Sequence, residues 1–142
     1  MSPKEYLRDL RYMDARVNSK LDQAAQLRAL AEKMTSVLNP NRGSGRTSRD
    51  SSAVIDKLID LEREINRMVD DLVDRKRDAE RQIKQIPNSD ERTVLDLRYL
   101  RRYSWDQIAE EMHCDRVTAW RYHGHALLRI SVPENLQQNE TS

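Results

Sequence analysis

The stretch Asp90–Ile130, DERTVLDLRYLRRYSWDQIAEEMHCDRVTAWRYHGHALLRI, decides how this chain folds. Val94, Leu95, Leu97 and Leu100 recur at helical spacing and predict a first short helix. Ser104-Trp105-Asp106-Gln107 then opens a second one. It has the form of a capping box, in which the serine and glutamine side chains each satisfy an orphan backbone donor. Ile108, Ala109 and Met112 give that helix its inner stripe. His113-Cys114-Asp115 breaks the periodicity, and Asp115 can cap a third helix from Arg116 to about Ile130. A short helix, a tight break and a further helix with an apolar inner face and a basic outer face suit insertion into a DNA major groove.

The third helix carries the candidate site. Ala119, Tyr122, Ala126, Leu127 and Ile130 are spaced to face inward. Arg116, Val117, Thr118, Trp120 and Arg121 then populate the early outward surface. Arginine suits base reading because its fork matches guanine O6 and N7, and Val117 and the Thr118 methyl can meet thymine methyl groups. His125 and Arg129 lie nearer the expected backbone path and are assigned to phosphate. From Arg116 to Ile130 there are three Arg, two His and no acidic residue. The bland alternative is an exposed helix face with solubilising arginines. Trp105, next to the cap, is expected in the small core. Trp120 fits two roles equally, a wedge against sugar and phosphate or the edge of the core. Cys114 is expected to be a buried plug in the turn. Arg92, Arg98, Arg101 and Arg102 make a basic cluster before the second helix that can touch DNA, and Arg101-Arg102 at a helix end can instead satisfy the macrodipole.

These residues resemble the fourth conserved region of bacterial sigma factors. The resemblance is carried by Glu91-Arg92, Leu97-Arg98-Tyr99, Ser104-Trp105, Ile108-Ala109-Glu110-Glu111, Asp115-Arg116 and Ala126-Leu127. It covers roughly the last third of the chain. It implies a three-helix module that reads an upstream promoter element, with the early positions of the third helix facing base edges. The whole chain is also similar to small phage and prophage proteins of unassigned function, some treated as late-gene transcription regulators, and this implies a phage origin.

Upstream, the chain predicts two long helices. Ser2-Pro3-Lys4-Glu5 supplies a cap, a proline at the first helical position and a glutamate at the third. Apolar residues follow at Leu10, Met13, Val17, Leu21, Ala24, Leu27, Ala31, Met34 and Leu38. A second helix is expected from Ser51 or Ser52. Its positions Val54, Leu58, Leu61, Ile65, Met68 and Leu72 alternate spacings of four and three, a coiled-coil seam. The pattern resumes loosely at Ala79, Ile83 and Ile86, and Pro87 ends it. Ile55, Ile59, Val69 and Val73 widen the stripe beyond a two-helix contact and predict a further packing surface. Between the helices, Asn39–Asp50 holds Pro, two Gly and three Arg without periodicity, and predicts a flexible hairpin tip.

Composition agrees with thin helices around narrow stripes. The chain has 142 residues, 37% hydrophobic and 35% charged, with no Phe. Its net charge of +1 provides no global attraction to nucleic acid, so affinity must come from local arrangement. A single cysteine excludes an internal disulfide and suits a reducing cytoplasm. No apolar run is long enough for a membrane helix. His113, Cys114, His123 and His125 match no familiar zinc spacing, and no phosphate loop or nucleophile elbow is present. No enzyme, metal or cofactor is therefore expected.

The expectation is an all-α chain, a long antiparallel coiled-coil-like helical hairpin followed by a three-helix helix-turn-helix module. Residues 1–87 form the hairpin with its tip at 39–50, residues 88–131 the module, and residues 132–142 a disordered tail. The module alone, from about Ser89 to Ser131, is expected to keep some fold. The expected function is sequence-directed binding of double-stranded DNA in transcription control, by a homodimer paired through the hairpin or with RNA polymerase as partner. Two alternatives remain open: a DNA-packaging component of the small-terminase type, and a sigma-like protein that binds polymerase without reading DNA.

Overall fold

The computed structural model describes residues 1–37 and 45–137. Among the described residues every regular element is helical, and none is long and apolar enough to cross a membrane. The order is α1 (Pro3–Val37), α2 (Gly45–Lys84), α3 (Ser89–Leu95), a π-helical turn (Asp96–Leu100), α4 (Trp105–Glu111), α5 (Arg116–Leu127) and a short α6 (Glu134–Gln137). The all-α expectation holds.

Local chemistry sets most of these boundaries. At the start of α1 the Ser2 hydroxyl accepts from the Glu5 N–H at 3.1 Å, while the Glu5 carboxylate accepts from the Ser2 N–H at 3.2 Å. Asn88 caps α3 by accepting from the N–H groups of Asp90 and Glu91. Ser104 and Gln107 form the reciprocal box at α4, at 3.2 and 2.9 Å. Asp115 caps α5 through the Thr118 N–H at 2.7 Å. Between α4 and α5, His113 adopts the left-handed conformation at φ 54°, which stops α4 and turns the chain.

Two corrections concern the hairpin tip and the tail. α2 begins at Gly45, inside the stretch expected as a flexible tip, because each residue added to an established helix gains a hydrogen bond for one fixed residue. Residues 38–44, the rest of that tip, lie outside the described residues. The tail expected to be disordered from 132 starts with a buried Val132 and then forms α6; residues 138–142 lie outside the described residues.

The chain divides into two compact units, Asp14–Asp71, and Met1–Met13 together with Leu72–Ser142. In the first, the α1 and α2 segments run antiparallel over a narrow seam. Val17, Ala24, Ala31 and Ile65 are buried, while Val54, Leu58, Leu61 and Met68 are half-buried. Lys20 pairs with Glu64 at 3.4 Å and Arg28 with Glu62 at 2.8 Å. Exposed pairs of this kind contribute at most about 1 kcal/mol each, so apolar contact holds the seam. Ile55 and Ile59 stay exposed on α2, and Leu21 and Leu30 on α1.

The second unit is built around a core with contributions from distant parts of the sequence. Tyr6, Leu7 and Leu10 are 0% exposed. They share the unit with Ala79, Ile83 and Ile86 of the α2 end, and with Val94, Leu95, Ile108, Ala119 and Ala126 of the C-terminal helices, all buried. Tyr6 donates to Asp78 at 2.5 Å, and Arg75 pairs with Asp9 at 2.8 Å. Burial, then the bond to the Asp78 carboxylate, pushes the Tyr6 phenol far above its ordinary value. Burial of Asp78 works against its ionisation, but hydrogen bonds from Tyr6, Arg81 and Gln82 outweigh it and hold the carboxyl below its ordinary value.

This composition bears on the expectation that residues 89–131 fold alone. Fully burying a large apolar side chain contributes roughly 1.5–3 kcal/mol, so Tyr6, Leu7 and Leu10 together contribute roughly 5–9 kcal/mol. That is as large as the whole net stability of a small domain, about 5–15 kcal/mol. A segment cut to 89–131 should therefore lack a cooperative thermal transition by circular dichroism, while the full chain shows one. A sharp melt of the isolated segment would show that the α1 and α2 contributions are dispensable.

Candidate nucleic-acid interface

α5 meets the rest of its unit along one stripe. Ala119, His123, Ala126 and Ile130 are buried, at spacings of four, three and four. At 100° per residue, the stripe diametrically opposite is Val117, Arg121, Gly124 and Leu128. All four are exposed, Val117 at 66% and Leu128 at 87%.

The seven expected site residues distribute around this outward stripe rather than along it. Val117 and Arg121 occupy its centre. Arg116 and Trp120 lie on one flank, where Arg116 Nε is 3.4 Å from the Asp106 carboxylate of α4. Thr118, His125 and Arg129 lie on the other. Thr118 is half-buried, with its N–H committed to the Asp115 cap, and His125 is exposed. Arg129 approaches Glu91, a carboxylate only 8% exposed, at 3.5 Å; the contact is an ion pair, and that oxygen receives no hydrogen bond. The structure thus brings Arg116, Val117 and Trp120 together, leaves Arg121 exposed one turn on from Val117, and turns Arg129 toward α3.

The aromatic residues explain how the start of α5 is held. Trp120 is 50% exposed and packs edge-on against Trp105, with ring centroids 5.1 Å apart. Trp105 is half-buried, so the two indoles share the core edge, and half of Trp120 remains at the surface. With Arg116 and Val117 they line an open hollow of about 280 Å³ at the start of α5. Beneath them lies His123, 1% exposed, with its ring 5.0 Å from Trp105 and 5.1 Å from Trp120. Its Nε2 is hydrogen-bonded to the Tyr99 hydroxyl at 2.6 Å. Cys114 is half-buried rather than the buried plug expected of it.

Cations frame this cluster from outside α5. Lys4 Nζ sits 4.9 Å above the Trp120 ring, and the Arg98 guanidinium sits 4.9 Å above Trp105. Burial first, then the charges of Lys4 and Arg98, lowers the His123 pKa to about 4. The imidazole is neutral at pH 7. Burial also raises the Tyr99 phenol.

Four features of the site escape a reading of the third helix alone. His123 follows Ala119 by four and precedes Ala126 by three, so spacing places it inward and only its polarity conceals it. Tyr99 was visible as part of a motif, not as the partner of a histidine 24 residues on. Lys4 and Arg98 come from elements outside the helix pair. Gly124, in mid-helix, carries no periodic signal. A Cβ built there meets nothing within 4 Å, and no glycine in the described residues has a positive φ. Nothing among the described residues requires a glycine at this outward position.

The fold and this surface define an all-α protein with a helix-turn-helix arrangement of α4 and α5. A family model described as a protein of unknown function, DUF1492, matches residues 32–131, and the chain belongs to that family. No curated protein and no solved structure matches the chain. The family match takes in α2 as well as the C-terminal helices.

Two outcomes follow from the geometry. As pH falls below about 6.5, His123 of the unfolded chain takes up a proton that the folded protein resists until about 4. The unfolded state then binds more protons, so stability is full above pH 6.5 and falls across this window, by roughly 2–3 kcal/mol. Urea titrations at pH 7 and pH 4.5 should show the loss, and His123→Gln should flatten the His123 contribution to it. In the second, Gly124→Ala should raise stability by about 0.5–1 kcal/mol, since the added methyl meets no neighbour and glycine is a poor helix former. A destabilised Gly124→Ala protein would mean that the surface there is occupied.

Proposed function

We propose that the protein is a sequence-directed double-stranded DNA-binding transcription regulator, phage-encoded, which lays the start of α5 in the major groove. One observation supports this above the others. Arg116, Val117 and Trp120 line one hollow at the start of a capped helix, Arg121 is exposed one turn on from Val117, and Ala119 and His123 are buried behind them. That is the presentation a recognition helix needs: two arginine forks for guanine edges, and apolar surface for thymine methyls. Gly124 adds to the reading, because a helix face without a side chain at its centre permits close approach of a phosphate backbone.

Binding as a pair follows from size. One small module contacts only about 600–1,000 Å² of surface, which gives little advantage over nonspecific sites. The exposed Ile55 and Ile59 of α2 provide an apolar strip for a second copy. Two copies would read half-sites about 34–36 Å apart. RNA polymerase as a tether is the other route to sufficient affinity.

Selection of bound sequences from a random duplex library, followed by titration of the recovered site, tests the proposal. Arg121→Ala should lower specific affinity about 5- to 150-fold, as expected for loss of a bidentate base contact of roughly 1–3 kcal/mol, and affect random duplex much less. Equal losses on both would reduce Arg121 to a phosphate contact. Failure to enrich any sequence would remove the claim of readout.

A further inference from the structure

We infer that the first turns of α1 form a second nucleic-acid contact, in which Lys4, Arg8 and Arg11, with Arg98 beside them, hold the phosphate backbone of a duplex whose groove receives α5. The inference rests on the DNA-binding reading and adds to it an element outside the helix-turn-helix pair.

Lys4, Arg8 and Arg11 are spaced by four and three, which places them on one face of α1. Their span is about 10 Å at 1.5 Å per residue. A single DNA strand offers a phosphate about every 3.4 Å of axis, so the ridge covers about three of them. The acidic residues of the same turns are used elsewhere: Glu5 closes the Ser2 capping box, and Asp9 pairs with Arg75.

The ridge is continuous with the reading face. Lys4 lies over Trp120, itself on the flank of α5 beside Val117 and Arg116. Arg8 and Arg11 act on Tyr99, and Arg11 is close enough to Arg98 for the two charges to repel. Arg11 Nε is shielded from solvent and makes no hydrogen bond. Folding therefore gathers like charges around one aromatic cluster, at an electrostatic cost. A phosphate strand laid across them reverses that cost and supplies acceptors for the guanidinium groups. A guanidinium above half-buried Trp105 and an ammonium above exposed Trp120 are chemistry for a polyanion with flat rings, not for an apolar ligand.

The test is salt dependence. Fluorescence anisotropy with a random-sequence DNA duplex several turns long measures how log K falls with log salt, about 0.9 per phosphate neutralised. Lys4 and Arg8 are exposed, so Lys4→Gln with Arg8→Gln should keep the native melting transition. The slope should become shallower by about 1.8. Removing the same charge from the other unit, as Lys57→Gln with Arg67→Gln, should leave it unchanged, and Arg8→Lys should retain the slope of the native chain. If the native chain binds duplex but the Lys4/Arg8 variant keeps its slope, the ridge is refuted and the α5 reading stands. If the native chain binds no duplex, both fall. If the control variant changes the slope equally, the effect is net charge and the ridge is again refuted.

Discussion

The hydrogen bond between Tyr99 and His123 is the constraint around which the start of α5 is arranged. It joins the inner stripe of α5 to the turn that follows α3, and both partners are buried. A polar pair in such a place is stabilising only while it is complete, since an orphaned partner costs about 1–3 kcal/mol. The geometry that permits it is the π-helical turn Asp96–Leu100, closed by the Arg101 N–H on the Asp96 carbonyl at 3.0 Å. This wider turn delivers Tyr99 inward and Arg98 to the side, where Arg98 covers Trp105 and donates to the Tyr103 carbonyl. Trp105 and Trp120 then close over the imidazole, and Lys4 closes over Trp120. Moving Tyr99 would shift the support under the first turns of α5.

The neutral state of His123 belongs to the same constraint. Protonating it would place a cation among Lys4 and Arg98 in a site without solvent, which burial and both charges oppose. The cluster thus tolerates positive charge only at its rim. That rim consists of the residues suited to meet an anion, so the demand of the core for a neutral imidazole and the surplus of cations around it are two aspects of one arrangement.

What the sequence discloses divides by the range of the interaction. The caps Ser2, Ser104 and Asp115 are legible, because a cap is settled within three residues. The two long helices and the surplus positions Ile55 and Ile59 are legible from periodicity, and both isoleucines remain exposed. The π turn is not, because one inserted residue shifts the inward register within five residues, too short a stretch for a period to show. The place of α1 in the core is not either: Tyr6 meets Asp78 across 72 residues, and no local pattern encodes that pairing. The spacing of the third helix therefore points to Arg116, Val117, Thr118, Trp120, Arg121, His125 and Arg129, and does not point to the imidazole beneath them or to Lys4 beside Trp120.

Net charge was the weakest guide for the same physical reason. At physiological salt, exposed charges are screened beyond about 8 Å, so a duplex at the surface responds to its neighbours and not to a sum over the chain. The value of +1 is a sum over the whole chain and does not register which charges are paired. Asp9 is paired with Arg75, Asp78 with Tyr6 and Arg81, and Asp96 with Arg101. Where a carboxylate does stand near the start of α5, as Asp106 does beside Arg116, both partners are exposed and the pair is weak. It can hold the guanidinium in place and give it up to a stronger acceptor at small cost. A nearly neutral chain can in this way present a locally basic surface while avoiding the indiscriminate attraction to nucleic acid that a uniformly basic chain would have.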